Sequence, residues 1–270
     1  MPVPTRIRST SRLPTEPAVT RAASAARRFL VAAPLLFCGL LVAGLAQAAG
    51  LAVAPLSLTL QPGEQATSVI VTNRDDHPWV IQADVKRWTQ PDGHDHYQLD
   101  PNLLATPALF RIPSQAKQVV RVGFSGGPAQ AGNVEQAFRL FIAQVPPQQS
   151  VAGSASPGEP AGVQFLLHLV LPVFLPPVHP RPQSRWSVEK TGGQPVLRLY
   201  NEGNVHLRLI EVSATDAAGK AVFDQRGLWY VLAGAYHDWP VPAAVGSSSG
   251  LHVRARTEGS TLSAHVAPGQ

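Results

Sequence analysis

Gly162-Val-Gln-Phe-Leu-Leu-His-Leu-Val-Leu171, followed at once by Pro172, is the longest apolar strand pattern in the chain. Alternate side chains of a strand point to opposite faces of a sheet. Val163, Phe165, Leu167, Leu169 and Leu171 share one face, and Gln164, Leu166, His168 and Val170 share the other. This pattern fits a central strand buried on both faces. It also fits a strand that offers one face to a partner and packs the other on its own core.

The sequence on either side of this strand predicts a domain boundary. Residues 148–162 are rich in Gln, Ser, Pro and Gly, which is typical of a flexible surface loop. After the strand, Pro176-Pro177 and His179-Pro180-Arg181-Pro182 predict a stiff connector. We therefore predict an N-terminal domain over residues 49–177, with the strand at 162–171, and a smaller C-terminal domain over residues 178–270.

Short strand patterns separated by turn signals fill both blocks. They lie at 56–60, 68–72, 79–88, 108–112, 117–124 and 137–145, and then at 196–200, 205–213 and 227–232. The 26 prolines of the chain argue against long helices. Strands at this spacing predict an all-β protein made of two sandwiches. From residue 260 onward the sequence predicts a frayed tail.

The N-terminus predicts export. Arg27 and Arg28 precede an apolar stretch over 29–45, and Ala46-Gln47-Ala48 follows as a small-x-small cleavage pattern. The stretch is shorter than the roughly 20 apolar residues of a spanning helix, and no basic cluster follows it. We therefore predict a signal peptide over residues 1–48, a periplasmic product and no stable membrane insertion. The Arg27-Arg28 pair partly matches a twin-arginine signal, but the ordinary export route fits better because the polar residue expected before Phe29 is missing.

Charge and cysteine content narrow the classes of partner and of chemistry. Six of the 22 basic residues and one of the 17 acidic residues precede Ala49, which leaves 16 of each sign in the remainder. A net charge of zero gives no basis for binding nucleic acid or an anionic membrane surface. Cys38 lies in the predicted signal, so the exported chain has neither disulfides nor a thiol nucleophile.

The sequence shows no constellation that points to catalysis. His94-Asp95-His96 is the densest group of metal-ligand side chains, but it follows Asp92-Gly93 at an expected hairpin tip and lacks a third ligand. No nucleophile elbow, phosphate-binding Gly loop or His-Glu-x-x-His motif is present. We therefore predict no catalytic residue, no cofactor and no metal site.

An ordered set of motifs resembles the periplasmic pilus (fimbrial) chaperone family. In the N-terminal block the motifs are Leu56-Ser-Leu-Thr-Leu-Gln-Pro-Gly63, Val71-Thr-Asn73, residues 82–88, Thr106-Pro-Ala-Leu-Phe-Arg-Ile-Pro113 and Gln118-Val-Val-Arg121. In the C-terminal block, Leu199-Tyr-Asn201-Glu-Gly203-Asn204 and Trp229-Tyr-Val-Leu-Ala-Gly234-Ala-Tyr-His-Asp-Trp239-Pro resemble the archaic branch, which serves spore-coat-type subunits.

The resemblance implies two immunoglobulin-like β-sandwich domains in a boomerang arrangement. It also implies a chaperone that binds pilus subunits by donor-strand complementation, prevents their aggregation and delivers them to an outer-membrane usher. On this view strand 162–171 is the donor strand. Val163, Phe165, Leu167 and Leu169 are the expected partner-binding residues.

The sequence departs from this family at the site that holds the subunit's terminal carboxylate. Many relatives use an Arg on the first strand and a Lys late in the donor strand, and these positions fall here on Ser57 or Leu58 and on Pro172. His168, Ser57 and Arg139 are the remaining candidates for contact with a carboxylate, and strand parity does not decide whether they face it.

Two other functions stay open at this stage. The chain could be an exported structural pilus subunit or adhesin, although residues 49–55 are short for a polymerising extension. It could also be a carbohydrate-binding β-sandwich protein, although no carboxylate or aromatic cluster is visible.

The cleavage site gives a first testable prediction. Because Ala46-Gln47-Ala48 follows the apolar run, N-terminal sequencing of the periplasmic protein should return Ala49 as the first residue. A product that retains residues 29–45 would show that the stretch is an anchor.

Overall fold

The computed structural model describes residues 50–146, 166–243 and 250–267, and these residues form β-sheets with one 3₁₀ turn and no α-helix. The predicted signal peptide, the predicted loop at 148–162, and Val163 and Phe165 lie outside the described residues. Within those ranges, no helical segment has the length and apolar character needed to cross a membrane. The predicted all-β class is confirmed.

Ten strands form the two sheets of the N-terminal sandwich. They are β1 (Leu51–Ala54), β2 (Leu58–Thr59), β3 (Ala66–Asn73), β4 (Trp79–Thr89), β5 (His96–Leu99), β6 (Leu103–Thr106), β7 (Leu109–Ile112), β8 (Lys117–Phe124), β9 (Gln136–Gln144) and β10 (His168–Leu175). One sheet has the order β1-β3-β8-β6, and the other has the order β2-β10-β9-β4-β5 with β7 also paired to β4. All pairs are antiparallel except β2 with β10.

Strict alternation in facing strands builds the core between these two sheets. Val69 and Val71 of β3 and Ile81 of β4 are completely buried, while the adjacent Ile70 and Val80 are exposed. The β-branched side chains fit a pleated surface and pack across the roughly 10 Å that separates stacked sheets. The apolar faces that the sequence alternation predicts are therefore the faces that meet.

Seven strands form the C-terminal sandwich. They are β11 (Ser184–Thr191), β12 (Gln194–Asn201), β13 (Leu207–Asp216), β14 (Ala221–Val231), β15 (Tyr236–Pro240), β16 (Leu251–Arg256) and β17 (Thr261–Val266). The sheets have the orders β11-β12-β15 and β14-β13-β16-β17. Its core includes Trp186 stacked on Trp239 at 5.7 Å between ring centroids, with Trp229 against the edge of Trp239.

Two expectations about strand ends are wrong. The predicted frayed tail is strand β17, which is held by an antiparallel ladder from Thr261 to Val266 against β16. The donor-strand pattern was expected to end at Leu171, but β10 continues through Pro172 to Leu175. Pro172 is tolerated because its nitrogen points away from β9, so that the β9 ladder loses no hydrogen bond.

A buried asparagine closes the same kind of turn in each sandwich. The side chain of Asn73 donates to the carbonyls of His77 and Pro113 at 2.8 and 3.0 Å, and it accepts from the Asp75 amide. The side chain of Asn201 donates to the carbonyls of Val205 and Val231 and accepts from the Gly203 amide. Each asparagine is itself buried and satisfies main-chain groups of its turn, so the two turns depend on side-chain hydrogen bonds.

Replacing one of these asparagines should destabilise the fold. Asn73→Ala removes the donor to two carbonyls and the acceptor of a buried amide, and each orphaned buried group costs about 1–3 kcal/mol. We expect a loss of at least about 2 kcal/mol in the free energy of unfolding, measured by urea titration. Asn102→Ala, at an exposed position, is the matched control and should change the midpoint little. Equal midpoints for the two variants would contradict this account of the turn.

Candidate functional site

The N-terminal half of β10 presents a sheet edge. β9 pairs with β10 from His168 to Leu175, whereas β2 pairs only with Val173 and Phe174 on the other side. The carbonyl of Phe174 accepts from the Leu60 amide on the β2 side. Because backbone polar groups alternate along a strand, the N–H and C=O of Val170 and His168 point to that same side. No strand of the described residues pairs with them there, and such an edge is a template for another strand.

The two faces of β10 have different surroundings. Leu167 and Leu169 are half-buried and pack on the core of the N-terminal sandwich. On the opposite face, Leu166 is 51% exposed and Val170 is 38% exposed. The pattern predicted Leu167 and Leu169 on an outward, partner-facing side, and the structure places them on the inward side. The alternation could not decide this because both faces of the strand are apolar.

The outward face of the same sheet carries two neighbouring cations. The β-ladder places Pro172 of β10 beside Arg139 of β9, and Arg139 beside Lys86 of β4. The guanidinium carbon of Arg139 lies 3.6 Å from the ring centroid of Trp88 and 5.1 Å from that of Tyr230. Such cation–π contacts hold the guanidinium in place between the two aromatic rings.

Arg139 is half-buried and incompletely satisfied. Its Nε is buried and has no hydrogen-bond partner among the described residues. Burial lowers the pKa of Arg139, and the nearby Tyr97 and Asp95 partly offset this effect. A buried guanidinium donor without an acceptor is unfavourable, so an anion that reached this group would be stabilised.

Asp95 organises the residues beside Arg139. Its carboxylate accepts hydrogen bonds from Trp88 Nε1 at 2.9 Å, Gln90 Nε2 at 2.8 Å and the Tyr97 hydroxyl at 2.9 Å. Burial alone would raise the pKa of Asp95, but the hydrogen bonds from Gln90, Trp88 and Tyr97 hold it below its usual range. Burial and the same carboxylate raise the pKa of Tyr97. These hydrogen bonds therefore fix the side chains beside Arg139, and they favour the negatively charged form of Asp95.

The cluster His94-Asp95-His96 follows the 3₁₀ turn Pro91–Gly93, in the connection from β4 to β5. The carboxylate of Asp95 already accepts the three hydrogen bonds described above, while His94 and His96 are exposed. Within residues 50–146, 166–243 and 250–267, no three His, Cys, Asp or Glu side chains converge as metal ligands.

Contacts between the two sandwiches fix the surroundings of Arg139. Glu135 Oε1 accepts from the His206 amide at 3.0 Å and lies 2.7 Å from His206 Nδ1. The His206 ring stacks on Phe174 with centroids 3.7 Å apart. Gln90 donates to the Tyr230 carbonyl and accepts from the Leu232 amide. These polar bridges hold Tyr230 over Arg139.

The three candidate carboxylate contacts have different environments. Arg139 lies between aromatic rings at the junction of the sandwiches, whereas His168 is exposed beside Phe141 with ring centroids 5.7 Å apart. Ser57 is exposed, and extending the register of β2 with β10 by one residue places it beside Pro172. Sequence reasoning named Arg139 but missed Lys86. No sequence signal places Lys86 beside Arg139, because the β4–β9 register is a long-range pairing.

Residues 50–180 match the family model of the pili and flagellar-assembly chaperone, PapD N-terminal domain. This part of the chain carries the N-terminal domain of the pilus chaperone family. The predicted resemblance is thereby confirmed. The matched range contains both sheets of the N-terminal sandwich, including Arg139, Lys86 and strand β10.

A curated relative agrees with this family. The chain is 35% identical over 109 residues to the probable fimbrial chaperone EcpB of Klebsiella pneumoniae, covering 39% of this chain and 48% of that protein. The matched stretch thus spans about half the length of the relative.

Solved structures show the same two-domain fold. A chain of the CsuC–CsuE chaperone–tip adhesion subunit pre-assembly complex from archaic Csu pili of Acinetobacter baumannii matches with a TM-score of 0.63 and 18% identity, covering 82% of this chain and 100% of that chain. The SafA–SafB pilin–chaperone complex of Salmonella enterica matches with a TM-score of 0.54 and 21% identity, covering 82% and 98%. At these identities the likeness concerns the fold, and it confirms the predicted pair of immunoglobulin-like sandwiches.

Proposed function

We propose that this protein is a non-catalytic periplasmic chaperone that lends strand β10 to pilus subunits of the spore-coat type. It thereby prevents their aggregation and delivers them to an outer-membrane usher. The observation that carries this proposal is the edge of β10 at His168 and Val170, which no strand of the described residues covers, together with the exposed side chains of Leu166 and Val170. The periplasmic location rests on the predicted signal peptide and on the family. The archaic, spore-coat assignment rests on the C-terminal motifs and on the Csu relative.

The open edge of β10 has the backbone groups and apolar side chains that binding of a pilus subunit would require. A subunit that lacks its last strand exposes an apolar groove and unpaired backbone groups, which promote aggregation. Donor-strand complementation by pilus chaperones is an established form of strand addition. The backbone groups of His168 and Val170 would pair with an edge of the subunit, and Leu166 and Val170 would enter its groove. Burying each side chain fully contributes about 1.5–3 kcal/mol.

Val163 and Phe165 are the two predicted partner-binding residues that lie outside the described residues. We propose that they also contact the subunit. Leu167 and Leu169 pack on the core of the N-terminal sandwich and so hold β10 against it. The face that contacts the subunit can be tested by substitution.

Substitution of outward and inward residues of β10 separates binding from folding. Val170→Asp should abolish capture of a co-expressed spore-coat-type subunit, because the carboxylate would be desolvated in an apolar groove. The free variant should keep its melting temperature, since Val170 is outside the core. Leu169→Asp should lower the melting temperature even without a subunit, because Leu169 packs on the core.

Val119→Asp is the matched control for this experiment. Val119 is 43% exposed on β8, in the other sheet of the same sandwich, and its substitution should leave capture intact. Capture by Val170→Asp at the level of the parent would remove Val170 from the binding face. Loss of capture by all three variants would show that the defect is not specific to β10.

We further propose that Arg139 and Lys86 hold the terminal carboxylate of the subunit. Ser57 and Pro172 stand where many relatives carry cations, and the ladder places Arg139 next to Pro172, with Lys86 next to Arg139. Arg139 can therefore place a positive charge in the same cross-strand row as Ser57 and Pro172, from the adjacent strand β9. Its orphan Nε and its fixed position between Trp88 and Tyr230 support this role. Ser57 and His168 are exposed neighbours on that face.

Two synthetic peptides with the sequence of the subunit's C-terminal residues test this anchor, one with a free carboxylate and one with a C-terminal amide. The parent chain should bind the carboxylate peptide about 10- to 100-fold more tightly, because a hydrogen bond to a charged group contributes about 1.5–3 kcal/mol. Arg139→Gln should bring the ratio of the two dissociation constants close to one. Arg121→Gln, at an exposed position on β8, should preserve the ratio. An unchanged ratio in Arg139→Gln would reject Arg139 as the anchor.

A further inference from the structure

Two histidines face each other on the outer surface of the C-terminal sandwich. His252 of β16 and His265 of β17 are directly opposite in the antiparallel ladder, and both are exposed. Leu251 and Val253, which flank His252 along β16, are buried in the core. The ladder therefore holds both imidazoles on the outward face with a fixed spacing between their Cα atoms.

The rings have a spacing that suits a shared metal ion. Their centroids are 4.8 Å apart with an interplanar angle of 67°. A metal ion bound about 2.0–2.1 Å from an imidazole nitrogen lies about 3.2 Å from the ring centroid. Two such ligands at an angle of about 90–110° have centroids about 4.5–5.3 Å apart. The observed separation falls inside this range.

The surroundings leave room for an ion and its water ligands. A side chain at Gly250 would meet His265 Nε2 at 3.0 Å, so the glycine keeps one approach to this nitrogen open. The pair borders a shallow depression of about 750 Å³ that is also lined by Ser213, Thr215 and Ser263. Arg254 lines the same depression, and its positive charge opposes a cation. We expect an open site with two protein ligands, His252 and His265.

We infer that His252 and His265 bind a divalent transition-metal ion, with water completing the coordination. Imidazole pairs suit Cu²⁺, Ni²⁺ and Zn²⁺, and the general order of stability places Cu²⁺ above Zn²⁺. This site uses neither the β10 edge nor Arg139, so it is independent of the proposed subunit binding.

Calorimetric titration of the untagged exported chain with Zn²⁺, and separately with Cu²⁺, tests the site. The parent should bind one equivalent that His252→Asn and His265→Asn each weaken at least about tenfold, since even loss of a supporting residue costs a metal site 10- to 100-fold. Cu²⁺ should bind more tightly than Zn²⁺. His94→Asn/His96→Asn is the matched control, because it removes two exposed histidines without altering this pair.

Imidazole NMR spectra of the same samples identify the ligands directly. Zn²⁺ should shift the ring resonances of His252 and His265 together at the first equivalent, and Cu²⁺ should broaden them first. Unchanged melting temperatures would show that the variants remain folded. Identical Zn²⁺ and Cu²⁺ affinities for the parent and for His252→Asn would overturn the inference, as would first-equivalent shifts confined to other histidines.

Discussion

The antiparallel ladder between β9 and β10 is the constraint on which the rest of the structure depends. It runs without interruption from His168 opposite Ala143 to Leu175 opposite Gln136. Because side chains alternate, Val173 and Leu175 enter the core of the N-terminal sandwich while Phe174 joins the core of the C-terminal one. One strand thus contributes to two cores. On its other side β10 pairs with β2 only at Val173 and Phe174, so the preceding residues of β10 are open there.

The junction between the sandwiches combines apolar packing with satisfied polar groups. Trp88 and Phe174 are buried in the C-terminal core although they belong to N-terminal strands. Glu135 and Gln90 then bridge to the second sandwich through His206, Tyr230 and Leu232. Buried polar bridges of this kind fix one arrangement because a displaced partner leaves an unsatisfied group. The guanidinium of Arg139 is held within this junction, so its orientation depends on both sandwiches.

The proposed chaperone function requires an apolar strand edge that is exposed and yet does not cause aggregation. The exposed Leu166 and Val170 are separated by His168, which keeps a polar group on the outward face. The neighbouring outward positions on β4 and β9 carry Lys86 and Arg139. Charged side chains beside an open edge disfavour pairing with an arbitrary strand. The same charges would favour a strand that brings a carboxylate, so one surface can discourage self-association and select a client.

The amino-acid sequence determined the all-β class, the two blocks of strands and the resemblance to pilus chaperones, because alternation, turn residues and ordered motifs are local properties. It also named Arg139, though only as one of three candidates. The tertiary structure decided which face of β10 is outward, because Leu167 and Leu166 are both apolar and only the position of the core distinguishes them. It likewise placed Lys86 beside Arg139 and His252 opposite His265. These neighbours result from the register of strand pairs, and the energy that sets a register comes from packing against a whole sheet, which no local stretch of sequence contains.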